Sequence, residues 1–493
     1  MIVQKAIGSL ICKEIATAGG DVLAYLSIPY ARAGRFEIPV DINLYNKSPI
    51  NREETLCFPQ KGLHTKLNVL LKHHMMRDEW SVKWDIQTED AFVVNIWTRK
   101  NPDHDPVLIF LHGSGEYNSG TTPLYNGANL AAKGVVVVTV TYRIGNFGYL
   151  PVFDEDRLIA NLCYRDQQAA LRWVRRHIAE FGGDDTRITL MGHSGGALSV
   201  HHHYLNEESS KYFDQCMMLG GPIPNIKKDE GLREQFYEML HANRCKSLSD
   251  LKALDAKNII RLKKASMKEV LDGDFFPEPS EELLKRSAFS PKPLLIGSNT
   301  DELSMIELPM FYKAMGIATR ERNVDEALRK TFGEYADLMR SAFESESDGI
   351  IDLQIKCMEA ASFHYAAYRL MKIYGEKSPV YGYRMGYVPN LYHGLRGAYH
   401  GAEVALFFDN LDKMNIEITP ENRKQAQKLQ EDWIAFLRTG EVPGLSPFRE
   451  GGKILSYEKT ASDVIEFPHA SLMELLDTTE IPEKMMNHFL SKR

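Results

Sequence analysis

Residues 192–196 read Gly-His-Ser-Gly-Gly, a G-x-S-x-G pattern with Ser194 at its centre. A serine hydroxyl is a poor nucleophile at neutral pH. It needs a histidine to take its proton, a carboxylate to fix that histidine's tautomer, and N–H donors for the oxyanion formed at a carbonyl. The chain offers a candidate for each. His112-Gly113-Ser114-Gly115 is a glycine-rich turn that can aim consecutive N–H groups at one point. Asp301 and Glu302 lie in "GSNTDEL", and His400 lies among small residues in "GAYHGAE". Serine, then acid, then histidine is the chain order of enzymes whose serine sits on a sharp strand-to-helix turn. The chemistry such a set performs is acyl transfer. The residues themselves leave Asp301 and Glu302 as equal candidates for the acid.

G-x-S-x-G also occurs by chance, so its setting decides. "RITLM" (187–191) reads as a strand and residues 197–204 as a helix, with glycines 192, 195 and 196 allowing a tight turn between them. Apolar runs at 92–97, 107–112, 135–142, 188–192, 216–220, 293–297 and 380–385 suit strands covered on both faces. Helical periodicity fills 165–183, ending at Gly182-Gly183, and 422–440, ending at Gly440. Strands alternating with helices predict an α/β fold, a mostly parallel twisted sheet flanked by helices. Two polar, mainly helical stretches, about 225–290 and 303–375, read as insertions over the sheet, where α/β proteins build substrate sites. No linker, repeat or low-complexity tract divides the 493 residues, so 1–493 reads as one domain.

A net charge of −7 lacks the footprint of a nucleic-acid binder. The basic run "RLKKASMK" (261–268) has a simpler account as a solvated helix face. No apolar run is long enough for a transmembrane helix, and the first twenty residues lack a secretory core and cleavage site. The six cysteines form no C-x-x-C pair and read as buried thiols. "HHHY" (201–204) resembles a metal tract, but neighbouring helix positions point in different directions.

Several further segments occur in a shared order: "LSIPYARAGRFEIP" (26–39), "TEDAFVVNIW" (88–97), "YRIGNFGYL" (142–150), 161–200, "GSNTDE" (297–302), "GAYHGAE" (397–403) and "WIAFLRTG" (433–440). With them the chain resembles the type-B carboxylesterases, the cholinesterase-like family of the α/β-hydrolases, in its bacterial p-nitrobenzyl-esterase-like branch. The resemblance runs nearly end to end. It implies an α/β-hydrolase fold and serine ester hydrolysis through an acyl-enzyme, on small to medium carboxylic esters and without metal or organic cofactor. It implies Ser194 as nucleophile, His400 as base and Glu302, rather than Asp301, as the acid. It also implies an oxyanion hole from the N–H groups of Ser114, Gly115 and Gly195. Amide, carbamate or lipid-ester hydrolysis by the same triad, and a non-catalytic binding protein on the same fold, are the alternatives.

The departures are specific. His193 and Gly195 stand where the family usually has glutamate and alanine, and the elbow is expected to turn His193 away from the serine oxygen. Ser114 stands inside the glycine triplet. Glu116 replaces a common aromatic and is a candidate substrate contact that would disfavour anionic acyl groups. Leu303 follows the acid in place of glycine, and Gly220 replaces a serine that supports the catalytic carboxylate. Met75, Met76, Trp80 and Trp84 fit a gorge wall and core packing equally well. Secreted relatives carry a disulfide from a cysteine near "CFPQ"; here Cys57 is present but its partner position is Ala91, which implies a cytoplasmic protein. The expected partner is a small-molecule ester, with no nucleic acid and no membrane span. The sequence does not distinguish a monomer from a homodimer.

Overall fold

Among the described residues, the apolar runs and their polar neighbours join into one sheet of 11 strands. The computed structural model describes residues 1–493 except 43–48, 61–85, 115–117, 224–225, 227, 287–289, 305–308, 388–396, 415, 460 and 491–493. In chain order the sheet strands are β1 (Lys13–Thr17), β2 (Gly20–Pro29), β3 (Val93–Arg99), β4 (Asp105–Leu111), β5 (Val136–Val140) and β6 (Gly183–His193). They continue as β7 (Gln215–Leu219), β8 (Leu294–Asn299), β9 (Val380–Met385), β10 (Lys453–Tyr457) and β11 (Ser462–Glu466). Their order across the sheet is β11-β10-β9-β8-β7-β6-β4-β5-β3-β2-β1. Strands β4 to β10 run parallel, while β1, β2, β3 and β11 pair antiparallel at the two sides. This is the mostly parallel α/β sheet expected from the sequence.

Alternation along β4 divides the core in two. Val107, Ile109 and Leu111 face one apolar cluster with Ala169, Leu171 and Val174 of helix α1 (Leu162–His177) and Val200 and Tyr204 of helix α2 (Gly195–Leu205). Leu108 and Phe110 face the other, with Leu429, Trp433 and Phe436 of helix α6 (Pro420–Thr439). A strand buried on both faces has no polar side to show, which is why these runs are continuous rather than alternating. Between β7 and β8 and between β8 and β9 the chain leaves the sheet. The first excursion carries helices such as Leu232–Ala242, whose Phe236, Met239 and Leu240 pack in a separate cluster with Phe147 and Leu162. The second carries α3 (Ile350–Glu359) and α4 (Tyr365–Gly375), joined by one π-helical turn, Ala360–His364. A short helix, α5 (Ala402–Phe407), follows β9.

Boundaries differ from the sequence reading where backbone geometry, not hydrophobicity, sets them. The helix expected over 165–183 begins at Leu162, after Asn161 at φ 56°, and its last turn tightens to a 3₁₀ turn over Ile178–Phe181. Gly182, at φ 83°, ends it. Strand β6 starts at Gly183, five residues before the apolar run, because Gly183 pairs with Asp105 across a register shift. Helix α6 starts at Pro420 under a Thr419–Asn422 capping box and ends at Gly440, at φ 77°.

Residues 61–85, and with them Met75, Met76, Trp80 and Trp84, lie outside the described residues.

Candidate active site

The strand order reverses at β4, which has β5 on one side and β6 on the other. In α/β sheets the crevice at the carboxyl ends of strands beside such a reversal is where ligands bind. Strand β4 leads there into His112-Gly113-Ser114, and β6 leads into Ser194.

Ser194 is the single residue between β6 and α2. Its backbone has φ 56° and ψ −120°, a conformation costing a non-glycine residue of order 1–3 kcal/mol. The surroundings enforce it. Ser194 N–H donates to the carbonyl of Leu219 in β7 at 2.9 Å, and Leu198 N–H donates to the carbonyl of Ser194 at 3.1 Å. A Cβ on Gly192 would run into the carbonyl of Gly196, and one on Gly196 into the carbonyl of Leu111. These two glycines let strand and helix close on each other. Gly195 is different: a Cβ there would meet only Ser114 N, at 3.5 Å. The backbones at Ser114 and Gly195 therefore flank one small space at the N-terminus of α2, where N–H groups point outward and negative charge is favoured. Ser114 itself sits at φ 64°, a left-handed conformation that a glycine would adopt without strain. Gly115 and Glu116 lie outside the described residues.

Glu302 and His400 come together. His400 Nδ1 is 2.5 Å from Glu302 Oε2, and the Glu302 side chain is 0% exposed against 23% for His400. With Glu302 as the acceptor, His400 Nδ1 is the donor in this contact. Glu302 Oε1 accepts the N–H of Asn299 at 2.7 Å, so both carboxylate oxygens are engaged. Asp301 turns elsewhere: its Oδ2 accepts Ala398 N–H at 2.9 Å and meets Thr300 Oγ1 at 2.5 Å. Gly220, at φ 52°, lies over the Glu302–His400 pair. A Cβ there would be 3.0 Å from Glu302 Oε1 and 3.3 Å from His400 Cε1.

Several residues near this pair were not singled out from the sequence. Phe363, in the π-helical turn, packs on the His400 ring at 5.1 Å between centroids, and His364 Nε2 bonds the Asn299 carbonyl at 2.9 Å. Such turns recur at functional sites because they shift the facing side chains by one position. Glu359 is buried and its Oε1 accepts Leu303 N–H at 2.7 Å; burial raises its carboxyl well above the usual range. Glu403, on α5, accepts Asn299 Nδ2–H at 2.5 Å; burial, and then Glu302, raise its carboxyl also. A lone acid inside the apolar run "AEVALFF" was the available signal for Glu403. His193 was expected to turn away from the serine oxygen. Its ring lies 4.4 Å from that of His400, centroid to centroid.

The His201–His203 tract is buried, and its rings diverge. His201 Nδ1 meets Tyr374 Oη at 2.8 Å, His203 bonds Ser209 and Gln167, and His202 packs edge-on against Tyr164 and Phe276.

The chain is similar to known esterases along most of its length. A family model described as the carboxylesterase family matches residues 1–462. The para-nitrobenzyl esterase of Bacillus subtilis (strain 168) is 30% identical over 387 residues, covering 72% of this chain and 75% of that protein. Human cocaine esterase is 28% identical over 487 residues, covering 89% and 83%. Among solved structures, a PNB esterase superposes with a TM-score of 0.77 at 24% identity, covering 97% of this chain and 99% of that one. A thermophilic PNB esterase gives the same score, identity and coverage.

Proposed function

We propose, from the premise that this chain belongs to the carboxylesterase family and is a carboxylic ester hydrolase with the α/β-hydrolase fold, that Ser194, His400 and Glu302 are its catalytic triad. The N–H groups of Ser114, Gly115 and Gly195 form the oxyanion hole. The observation that carries this reading is the 2.5 Å contact between His400 Nδ1 and a fully buried Glu302, beside a serine held at φ 56° on a strand-to-helix turn.

Ser194 Oγ attacks the ester carbonyl carbon while His400 Nε2 takes its proton. Glu302 holds the Nδ1–H tautomer and stabilises the imidazolium. The carbonyl oxygen gains negative charge and is met by the backbone donors, each worth roughly 10²–10³ in kcat. His400 returns its proton to the departing alkoxide, the alcohol leaves, and Ser194 carries the acyl group. Water then attacks this acyl-enzyme with His400 as base, and the acid is released. These steps involve only groups of this chain, the ester and water.

The substrate is a small to medium carboxylic ester. By the family pattern, Glu116 is a substrate contact that disfavours anionic acyl groups. The chain acts as one domain, with the excursions between β7 and β8 and between β8 and β9 walling the crevice. No helix among the described residues is long and apolar enough to cross a membrane. We assign the protein to the reducing cytoplasm, supported by six buried cysteine thiols and by Ala91 opposite Cys57 in the family pattern. Turnover of short-chain p-nitrophenyl esters by wild type, Ser194→Ala and His400→Ala tests the triad. Loss in both folded variants is expected, and retained turnover in either would remove that residue from its role. Fractionation of the native host checks the compartment.

A further inference from the structure

Asn299 is the last residue of β8 and is 0% exposed. Its backbone N–H donates to Glu302 Oε1 at 2.7 Å. Its side-chain Nδ2 donates to the carbonyl of Tyr399, the residue before His400, at 2.7 Å, and to Glu403 Oε2 at 2.5 Å. Its own carbonyl accepts His364 Nε2–H at 2.9 Å from the π-helical turn. One residue thus ties together the loop of the acid, the loop of the base, helix α5 and the turn that lays Phe363 on the His400 ring. The partners fix the orientation of the amide. The Tyr399 carbonyl can only accept, so the NH₂ and not the oxygen faces it. Asn299 Oδ1 has no hydrogen-bond partner among the described residues. The side chain is therefore held by what it donates.

Charged and titratable groups surround this amide. Glu302 meets it from the acid loop and Glu403 from α5. Tyr383 Oη of β9 lies 3.4 Å from Glu403 Oε1, and the Tyr399 phenol also neighbours Glu403. His400 bonds Glu302, and His364 bonds the Asn299 carbonyl. Asp301 is turned to Ala398 N–H and Glu359 to Leu303 N–H. On β9, Met385 is the register partner of Asn299, and the guanidinium of Arg384 acts on His364. Burial, and then Glu302, raise the Glu403 carboxyl to about 7, while the Asn299 amide pulls it the other way. A further carboxyl at position 299 would join two others in a buried space.

We propose that Asn299 is a positioning residue whose side-chain NH₂ must donate twice, to the backbone of the base loop and to Glu403, for His400 to stay seated on Glu302. This rests on Ser194, His400 and Glu302 being the triad. Acid and base come from separate loops, 98 positions apart in the chain. Their 2.5 Å contact holds only while the two loops keep their distance. Asn299 sets that distance from one point: its backbone holds the acid, and its side chain holds the peptide that carries His400. Asp301 makes a second tie between the loops, to Ala398, one peptide further from the base. A carboxylate of the same shape in place of the amide has no hydrogen to give. Ionised, it faces the Tyr399 carbonyl and Glu403 as one more acceptor. Protonated, it recovers one of the two bonds.

The test is the pH dependence of kcat and kcat/KM for p-nitrophenyl acetate in wild type, Asn299→Ser and Asn299→Asp, with circular dichroism at each pH to confirm folding. The Ser variant is neutral at every pH and too short to span to Tyr399 and Glu403 together. It is expected to lose roughly tenfold to a hundredfold in kcat with KM little changed, the scale set by a misplacement of about 1 Å, and by the same factor at each pH. The Asp variant is expected to lie above the Ser variant at the acid end, where its carboxyl carries a proton. It is expected to fall relative to wild type as pH rises and that proton leaves, and to stay low at the alkaline end. Burial beside Glu302 and Glu403 keeps the proton on into the neutral range. A ratio to wild type that returns to one at high pH means that the new charge only shifts the titration of His400, and overturns the proposal. So does a folded Asp variant whose ratio is the same at every pH, or a folded Ser variant with unaltered kcat. Should the Asp variant not fold, the Ser variant decides. If His400→Ala retains turnover, the triad itself is wrong and this role falls with it. If His400→Ala is inactive while both Asn299 variants match wild type, the role of Asn299 alone is refuted.

Discussion

Replacing Glu302 by glutamine separates the acid from every other feature of the site, because the volume changes little and only the charge and one donor are altered. Glu302 has no solvent to turn to, and its two oxygens are committed to Asn299 N–H at 2.7 Å and His400 Nδ1 at 2.5 Å. A glutamine has one oxygen and one NH₂. If its oxygen stays on Asn299 N–H, its NH₂ faces His400 Nδ1, which must then accept. The histidine proton moves to Nε2, and the base that should receive the serine proton is gone. If the amide flips, its NH₂ meets the Asn299 N–H, two donors facing each other in a buried space at a cost of about 1–3 kcal/mol. Either way the productive tautomer is lost together with the charge that stabilises the imidazolium. A drop in kcat of about 10⁴-fold is expected, about 5.5 kcal/mol in the barrier. The control is Asp301→Asn, whose carboxylate serves the Ala398 N–H rather than the histidine. It should lower stability and leave kcat within about tenfold. The assay is steady-state hydrolysis of p-nitrophenyl butyrate with thermal melts of both variants. Glu302→Gln retaining kcat within tenfold, or Asp301→Asn being the inactive one, would refute the assignment of the acid.

Other expectations follow from the same structure. Gly195→Ala should fold and keep kcat within about tenfold, since its Cβ meets only Ser114 N at 3.5 Å, whereas Gly192→Ala and Gly196→Ala drive a Cβ into backbone and should lose both expression and activity. Equal behaviour of the three variants would contradict the geometry of the turn. Asp166→Ala should destabilise by about 3–5 kcal/mol in urea unfolding, because it strands Arg143, a buried guanidinium bonded to Asp166 at 2.8 and 2.6 Å. A change under about 1 kcal/mol would argue that the pair is solvated. Acid should weaken the fold as well. Burial lowers His112 to about 4 and His203 to about 3, and lowers His193 and His201 well below their ordinary value. The unfolded chain takes up protons near pH 6.5 that the folded chain refuses, so stability is full above about pH 6.5 and falls below it. At pH 5 the loss is about 2 kcal/mol for His112 and the same for His203. A urea midpoint unchanged between pH 7 and pH 5 would contradict this.

The strands were legible because parallel strands covered on both faces must be apolar throughout: "VYGYRM" is strand Val380–Met385, residue for residue. The first residues of β6 were not, since "GDDTR" joins the sheet through backbone pairing of Gly183 with Asp105 and carries no side-chain signal. Strands β1 and β2, at one side of the sheet, were missed for a related reason. Each is only partly buried, and they pair antiparallel through an exposed Gly19–Gly20 turn. In the site, the residue types and their order pointed to Ser194, His400 and an acid, but only the family resemblance chose Glu302 over its neighbour. The geometry that sends Asp301 to Ala398 and Glu302 to His400 depends on Asn299 and on a strand 80 residues further along, between which sequence spacing is silent. His193 shows the limit most plainly. Local turn geometry describes its direction relative to Ser194, but its contact with His400 is made across the fold, and Gly401 beside His400 was the only local hint of a ring that needed room.

The most direct measurement is intact mass of the folded protein after a fluorophosphonate probe, with peptide mapping of the adduct, on wild type and Ser194→Ala. One adduct on wild type, mapped to Ser194, and none on the variant is expected of an activated serine on the turn after β6. An adduct on another residue, or none on a folded wild type, would contradict Ser194 as the nucleophile.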